Sequence, residues 1–176
     1  MFKKISFGEK APDIVNVVIE ISANSKPVKY EVDKVSGLLC VDRFISAPMR
    51  YPCNYGYIPN TLCGDGDELD VLVLSPNALI NGCVIEVRPI GLLNMIDESG
   101  PDCKVLSVPI DKLTKLYSNI ENFSDLNCFI LNRIEHFFKH YKDLEFNKWV
   151  DVGVWDDALK AKKKIIECID NFKCLL

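Results

Sequence analysis

The chain has 176 residues, 48% of them hydrophobic, and a formal net charge of −4 from 21 Lys and Arg against 25 Asp and Glu. That length and apolar content suit one domain over residues 1–176 with a sizeable core, and they exclude a chain disordered by composition. The acidic balance argues against nucleic acid or an anionic membrane as a partner, and no apolar stretch approaches the ~18 residues of a bilayer span.

The start, Met1-Phe2-Lys3-Lys4-Ile5, has two lysines but no apolar run after them, so it is not read as a secretory signal. The eight cysteines (Cys40, Cys53, Cys63, Cys83, Cys103, Cys128, Cys168 and Cys174) contain no C-x-x-C spacing. They are expected to be reduced thiols of a cytoplasmic protein, several serving as small core residues, rather than a disulfide framework or a zinc cluster.

Period-two alternation opens the chain. In 15–21 the odd positions are all Val or Ile, and in 28–33 Val28, Tyr30 and Val32 alternate with Lys29, Glu31 and Asp33, so both are expected strands. A third is expected over 38–45, where Arg43 shares a face with Leu39, Val41 and Ile45. The segment Tyr51-Pro52-Cys53-Asn54-Tyr55-Gly56-Tyr57 offers phenol hydroxyls as neutral donors, although core packing is the ordinary use of aromatics at this density. Further strands are expected over 70–74, 84–93 and 104–108, separated by Gly, Pro, Asn and Ser turn signals. A short helical turn over 111–117 follows Pro109. The period then changes. Leu126, Ile130, Ile134, Phe137, Phe138 and Tyr141 recur at helical steps, as do Ala158, Ala161, Ile165, Cys168, Ile169 and Phe172. Many strands followed by two helices predict an α+β, mainly β fold: a small, mostly antiparallel barrel with C-terminal helices on its outside.

The densest chemical signal is Asp65-Gly66-Asp67-Glu68-Leu69-Asp70, three aspartates within six residues running into the apolar Val71-Leu72-Val73-Leu74. Two carboxylates about 5 Å apart repel by about 3 kcal/mol at an effective dielectric near 20. Either water screens them in a solvated acidic turn, or a cation sits among them. Mg²⁺ takes such oxygen donors, whereas an EF-hand is excluded because Leu69 and Asp70 stand where its loop needs a ligand and then the turn glycine. A second cluster, Asp97, Asp102 and Lys104, flanks the turn Ser99-Gly100-Pro101. Glu20 and Glu31 lie on polar strand faces, where plain solvent exposure is the simpler reading. Lys29, Arg43 and Lys142 are candidates to grip an anion, though Lys142 also suits the end of a helix without any ligand. His136 and His140 stand one helical turn apart without an evident third ligand, which favours packing or a subunit contact over zinc.

These residues, in this order, resemble the soluble family I inorganic pyrophosphatases of bacterial type. The resemblance is carried by Ile19-Glu20-Ile21, Lys29-Tyr30-Glu31, Val41-Asp42-Arg43-Phe44, the Tyr51 to Tyr57 segment, Asp65 to Val71, Asp97, Gly100 to Lys104, and His140-Tyr141-Lys142-Asp143-Leu144. It implies a five-stranded OB-like barrel with flanking helices, and Mg²⁺-dependent hydrolysis of pyrophosphate to two orthophosphates with several ions per subunit. It implies that Asp65, Asp70, Asp97 and Asp102 hold metal and that Glu20 and Glu31 act around the ions partly through water. Asp67 would be the general base, and Lys29, Arg43, Tyr55, Lys104, Tyr141 and Lys142 would contact the phosphates, with Tyr51 lining the site. A homohexamer is the implied assembly. The other readings are an OB-type nucleic-acid-binding module and a different metal-dependent phosphohydrolase.

Overall fold

The computed structural model describes residues 5–33 and 35–175; the N-terminal lysines weighed as an export signal lie outside them. In chain order the elements are β1 (Val15–Ile21), β2 (Val28–Val32), β3 (Leu39–Phe44), β4 (Asn54–Ile58), β5 (Leu69–Val73), β6 (Val84–Asp97), β7 (Gly100–Pro101), β8 (Lys104–Pro109), α1 (Cys128–His140), β9 (Val150–Asp157) and α2 (Ala158–Lys173).

β1, β4, β5, β8 and β6 form a ring that the β1–β6 pairing closes, which is the five-stranded OB-like barrel with two helices. Four seams of this ring are antiparallel, and the β5–β8 seam is parallel, Val71 facing Val105. β6 is long enough to serve two neighbours in succession. Val84 to Val87 pair with β1, while Gly91 to Asp97 pair with β9. Its register shifts between Pro89 and Gly91, where a proline cannot supply a ladder donor and the strand bends. β2 and β3 make a separate hairpin, with Lys29 directly opposite Arg43.

Alternation distributes the core. Val71, Val73 and Val105 pack in a cluster with Ala161, Ile165, Cys168 and Ile169 of α2, while Leu72 and Leu106 join Phe137 and Phe138 of α1 in another. Both faces of β5 and β8 are therefore covered, which is why their sequences read as unbroken apolar runs. The helices begin at side-chain caps: the Asn127 side chain accepts from Phe129 N at 3.0 Å and Asp157 accepts from Lys160 N at 2.9 Å, each satisfying an otherwise orphaned donor.

Three sequence expectations need correction. Residues 111–117 form separate turns, with Leu113 N bonded to Ile110 O and Ser118 N to Lys115 O, and no helix propagates. The apolar companions of Arg43 are not core: Val41 is 52% exposed, and of that face Ile45 is the buried member. Val41 and Phe44 of the hairpin meet solvent, while Tyr30 of β2 packs against the core cluster, so the alternation of β3 does not mark a packed face. β4 and β9 were not expected as strands, and β6 runs on to Asp97.

Gly56 in β4 is set by close approach. A Cβ there would lie 1.9 Å from Val18 O and 2.8 Å from Val18 C on the neighbouring strand. Gly56→Ala should therefore lower unfolding free energy by about 4 kcal/mol or more, whereas Gly64→Ala, which meets nothing within 4 Å, should stay within about 1 kcal/mol. Urea denaturation compares the two; matching midpoints would contradict the close approach of β1 and β4 at Gly56.

Candidate active site

Every site residue that the family resemblance implies lines one cavity of about 280 Å³. Four pieces of backbone geometry bring them there. First, the parallel β5–β8 register pairs Val71 with Val105, so Asp70 and Lys104, each one residue earlier, enter side by side. Asp102, two residues before Lys104, returns to the same face. Second, β1 has a register shift between Ile19 and Ile21, and this irregularity carries Glu20. Its Oε1 accepts from Val32 N at 2.7 Å, tying the barrel to the β2–β3 hairpin. Third, cross-strand pairing of Lys29 with Arg43 sets two cations next to each other. Fourth, α1 ends at His140, and the following Tyr141 and Lys142 are both buried.

The cations are already engaged. Lys104, 3% exposed, donates to Asp70 Oδ2 at 2.5 Å, to Asp102 Oδ1 at 2.6 Å and to the Tyr55 hydroxyl at 3.2 Å. Burial works against its ammonium, but the Asp70 and Asp102 carboxylates outweigh burial and hold it well above the usual lysine range. Lys142 donates to Asp97 Oδ2 at 2.8 Å and to both oxygens of Glu98, at 3.1 and 3.0 Å. Burial pushes the Asp97 carboxyl up; hydrogen bonds from Lys142 and from Ser99 N override it and leave it below its ordinary value. Lys29 bonds to Glu31 and lies 3.5 Å from Asp42, which also sits 3.5 Å from Arg43.

Around these pairs lie the phenols. Tyr51 packs on Tyr55 and Phe137, with ring centroids 5.1 and 4.6 Å away, and Tyr141 stacks on Phe137. Burial pushes Tyr51, Tyr55 and Tyr141 above the ordinary tyrosine value, so all three stay neutral donors. The loop before β5 is the wet side of the cavity. Asp65 and Asp67 are exposed there, and Asp65 Oδ1 accepts from Asp67 N at 3.1 Å.

Glu20 is the outlier. Plain solvent exposure is the simpler reading of its strand face, yet it is 7% exposed, and burial, with Asp70 and Glu31 nearby, raises its pKa to about 8. The cavity also takes in Tyr57, Glu68, Glu98 and Lys148, which the sequence did not single out. Tyr57 stood inside the noted tyrosine segment, and Glu98 adjoins Asp97 in the hairpin, so position was the available signal for both. His136 and His140 lie outside this cavity, exposed, with ring centroids 4.6 Å apart, and His140 Nδ1 is 2.8 Å from Asp143 Oδ2.

Nine acidic side chains line the cavity against five basic ones. With Glu20 protonated at neutral pH, an excess of negative charge still remains. The donors are carboxylate oxygens, the set hard divalent cations prefer, and the residues fit such ions chemically. No group of three or more His, Cys, Asp or Glu among the described residues is gathered tightly enough to form a ready cage. Lys104 and Lys142 stand between the carboxylates instead.

The chain matches the family model for inorganic pyrophosphatase over residues 17–173. It is 52% identical over 168 residues to the inorganic pyrophosphatase of Xanthomonas campestris pv. campestris, covering 96% of this chain and 94% of that one. Among solved structures, the inorganic phosphatase of Anaplasma phagocytophilum superposes with a TM-score of 0.95 at 54% identity over 97% of this chain and 99% of that one. The inorganic pyrophosphatase of Helicobacter pylori gives 0.93 at 44% identity, again over 97% of this chain and 99% of that one.

Glu20 makes the metal-free fold pH-dependent. Between 4.5 and about 8 the unfolded chain releases this proton while the folded chain keeps it, so the unfolded state binds fewer protons and stability falls as pH rises. In buffer containing a chelator, Glu20→Gln should flatten that decline and exceed the parent's stability near pH 8. Denaturant midpoints across this range test it; parallel declines would remove Glu20 as the cause.

Proposed function

The chain belongs to the inorganic pyrophosphatase family, and from that membership and the charge of its cavity we propose that it hydrolyses inorganic pyrophosphate to two orthophosphates with Mg²⁺. The observation that carries this reading is the cavity itself: carboxylates in excess, interleaved with lysines and an arginine, under a wet acidic loop. An anionic pyrophosphate would be repelled by such a lining alone. Asp65, Asp70, Asp97 and Asp102 would hold the ions, with Glu20 and Glu31 acting around them partly through water. Bound there, Mg²⁺ would neutralise phosphate oxygens and acidify the attacking water.

The chain's own groups supply the rest. Asp67, on the exposed loop, takes the proton of the attacking water as general base. Lys29 and Arg43, paired across the hairpin, grip phosphate oxygens, Arg43 through its planar fork. Lys142, Tyr55 and Tyr141 donate from the opposite wall, and Tyr51 packs behind Tyr55 to fix its ring. Lys104 bridges the two carboxylates and faces the leaving phosphate. The charge on that phosphate grows as the P–O bond breaks, so fixed cations favour the transition state over the bound substrate.

A single-strand-binding groove needs a positive track for the backbone, which this acidic lining does not provide. No helix among the described residues is long and apolar enough to cross a membrane. We further propose a cytoplasmic homohexamer, as the family resemblance implies; light scattering reads the assembly mass directly.

Phosphate release from pyrophosphate should require Mg²⁺ and stop on addition of a chelator. Asp67→Asn should fold normally and lower kcat by about 10²-fold or more, the usual weight of a general base; unchanged turnover would remove Asp67 from that role. Arg43→Ala should act mainly on KM, reducing kcat/KM by roughly 10- to 100-fold, as expected for loss of a charged hydrogen bond of about 1.5–3 kcal/mol. Steady-state kinetics separates the two variants.

A further inference from the structure

Cys63 and Cys168 lie far apart in the chain, yet their Sγ atoms are 3.4 Å apart. The backbone on either side is already joined. Leu62 N donates to Cys168 O at 2.8 Å, and Asn171 Nδ2 donates to Leu62 O at 3.3 Å. Cys63 also closes the acidic loop, its N–H bonding to Asp67 O at 2.8 Å and its carbonyl accepting from Gly66 N at 3.2 Å. The loop that carries Asp65 and Asp67 is thus anchored on α2 at the position where two thiols meet.

We propose that Cys63 and Cys168 form a redox-active pair, which hydrogen peroxide converts to a disulfide that clamps the acidic loop to α2 and slows turnover. Access sets the order of events. Cys63 is half-buried, whereas Cys168 is fully buried, so the oxidant meets Cys63 first. The Cys63 sulfur attacks one peroxide oxygen, the O–O bond breaks, and the departing oxygen leaves as water with the thiol's proton. Cys63 is then a sulfenic acid. The Cys168 sulfur attacks Cys63 Sγ, an S–S bond forms, the S–O bond breaks, and a second water carries off the Cys168 proton. The two thiols lose two electrons and peroxide accepts them. A disulfide requires sulfurs about 2.05 Å apart, so the pair must close by about 1.4 Å. With α2 held in the core by Ile165 and Ile169, the loop is the more compliant side. Added dithiol reverses the reaction by exchange.

The formation of the bond is independent of the proposed hydrolysis; its effect on turnover rests on that reading. The test treats the full chain with hydrogen peroxide, blocks remaining thiols, maps linked peptides by mass spectrometry, and follows phosphate release before and after dithiothreitol. The expected result is a Cys63–Cys168 peptide and a reversible loss of activity of roughly tenfold, since misplacing a reacting group by about an ångström lowers rates by up to ~10²-fold. Cys63→Ser and Cys168→Ala should keep basal activity and resist peroxide; if the buried Cys168→Ala does not fold, Cys63→Ser and the peptide map of the parent suffice. Absence of the linked peptide, or a bond from Cys63 to the half-buried Cys103 that packs on the same cluster, overturns the pair. A mapped bond with full activity overturns the clamp. If the reduced parent releases no phosphate, the hydrolytic reading fails, while the peptide map still decides the thiol pair.

Discussion

A lysine ammonium buried between two carboxylates is the constraint around which this molecule is arranged. Lys104 is almost wholly enclosed and touches Asp70, Asp102 and Tyr55. An unpaired charge in that position would be strongly unfavourable, and two carboxylates facing each other without it would be equally so. One ammonium between two carboxylates resolves both problems only in part, since one negative charge is left over. At Lys142 the balance is closer, because Asp97 and Glu98 share Lys142 and Lys148 also lies 3.6 Å from Glu98. The fold therefore holds its acidic groups close together by means of lysines, while leaving a residual negative field that further cations can answer.

The apolar scaffold explains why this charge arrangement is held in place. β5 and β8 deliver Asp70 and Lys104 from their first two residues, and both strands are packed on both faces, by α1 residues on one side and α2 residues on the other. A strand buried on both faces cannot slip by one residue without exchanging Leu72 for Val71 and Val73 in two differently shaped clusters. Register is thereby fixed, and with it the positions of the charges that begin each strand. The β2–β3 hairpin is held differently. Its outer residues Val41 and Phe44 are exposed, and its link to the barrel includes a hydrogen bond from Val32 N to the buried Glu20. Lys29, Glu31 and Arg43, the hairpin's candidate site residues, thus sit on the less constrained wall of the cavity, and Asp70, Asp102 and Lys104 on the more constrained one.

The acidic loop is intermediate between these walls. Its backbone closes through Cys63 and Asp67, and its outer end is tied to α2 through Leu62 and Asn171. Thiol chemistry at Cys63 and the position of Asp67 are consequently properties of one short segment. A helix that lies on the outside of the barrel and lines no part of the cavity can in this way influence the loop on which the proposed base resides.

Local periodicity determined much of this protein. β1, β2, β3, β5, β6, β8 and both helices follow from apolar residues at steps of two or of three and four, because a half-buried strand or helix needs its apolar groups on one side. β9 carried the same signal in Val150, Val152 and Val154, whereas β4 was masked by its tyrosines and by Gly56, whose requirement arises only when β1 lies against it. The crowding of Asp65, Asp67 and Asp70 was equally local and could be read from spacing. Which distant groups join them could not, other than by resemblance. The burial of Glu20 depends on a register irregularity, the choice of Lys104 for Asp70 depends on a parallel seam, Glu98 enters through the β6–β7 hairpin turn, and Lys148 enters from the connection between α1 and β9. Periodicity states which face of an element is buried; it is silent on which element lies opposite, and charges separated by many residues acquire partners only when ring closure sets that opposition.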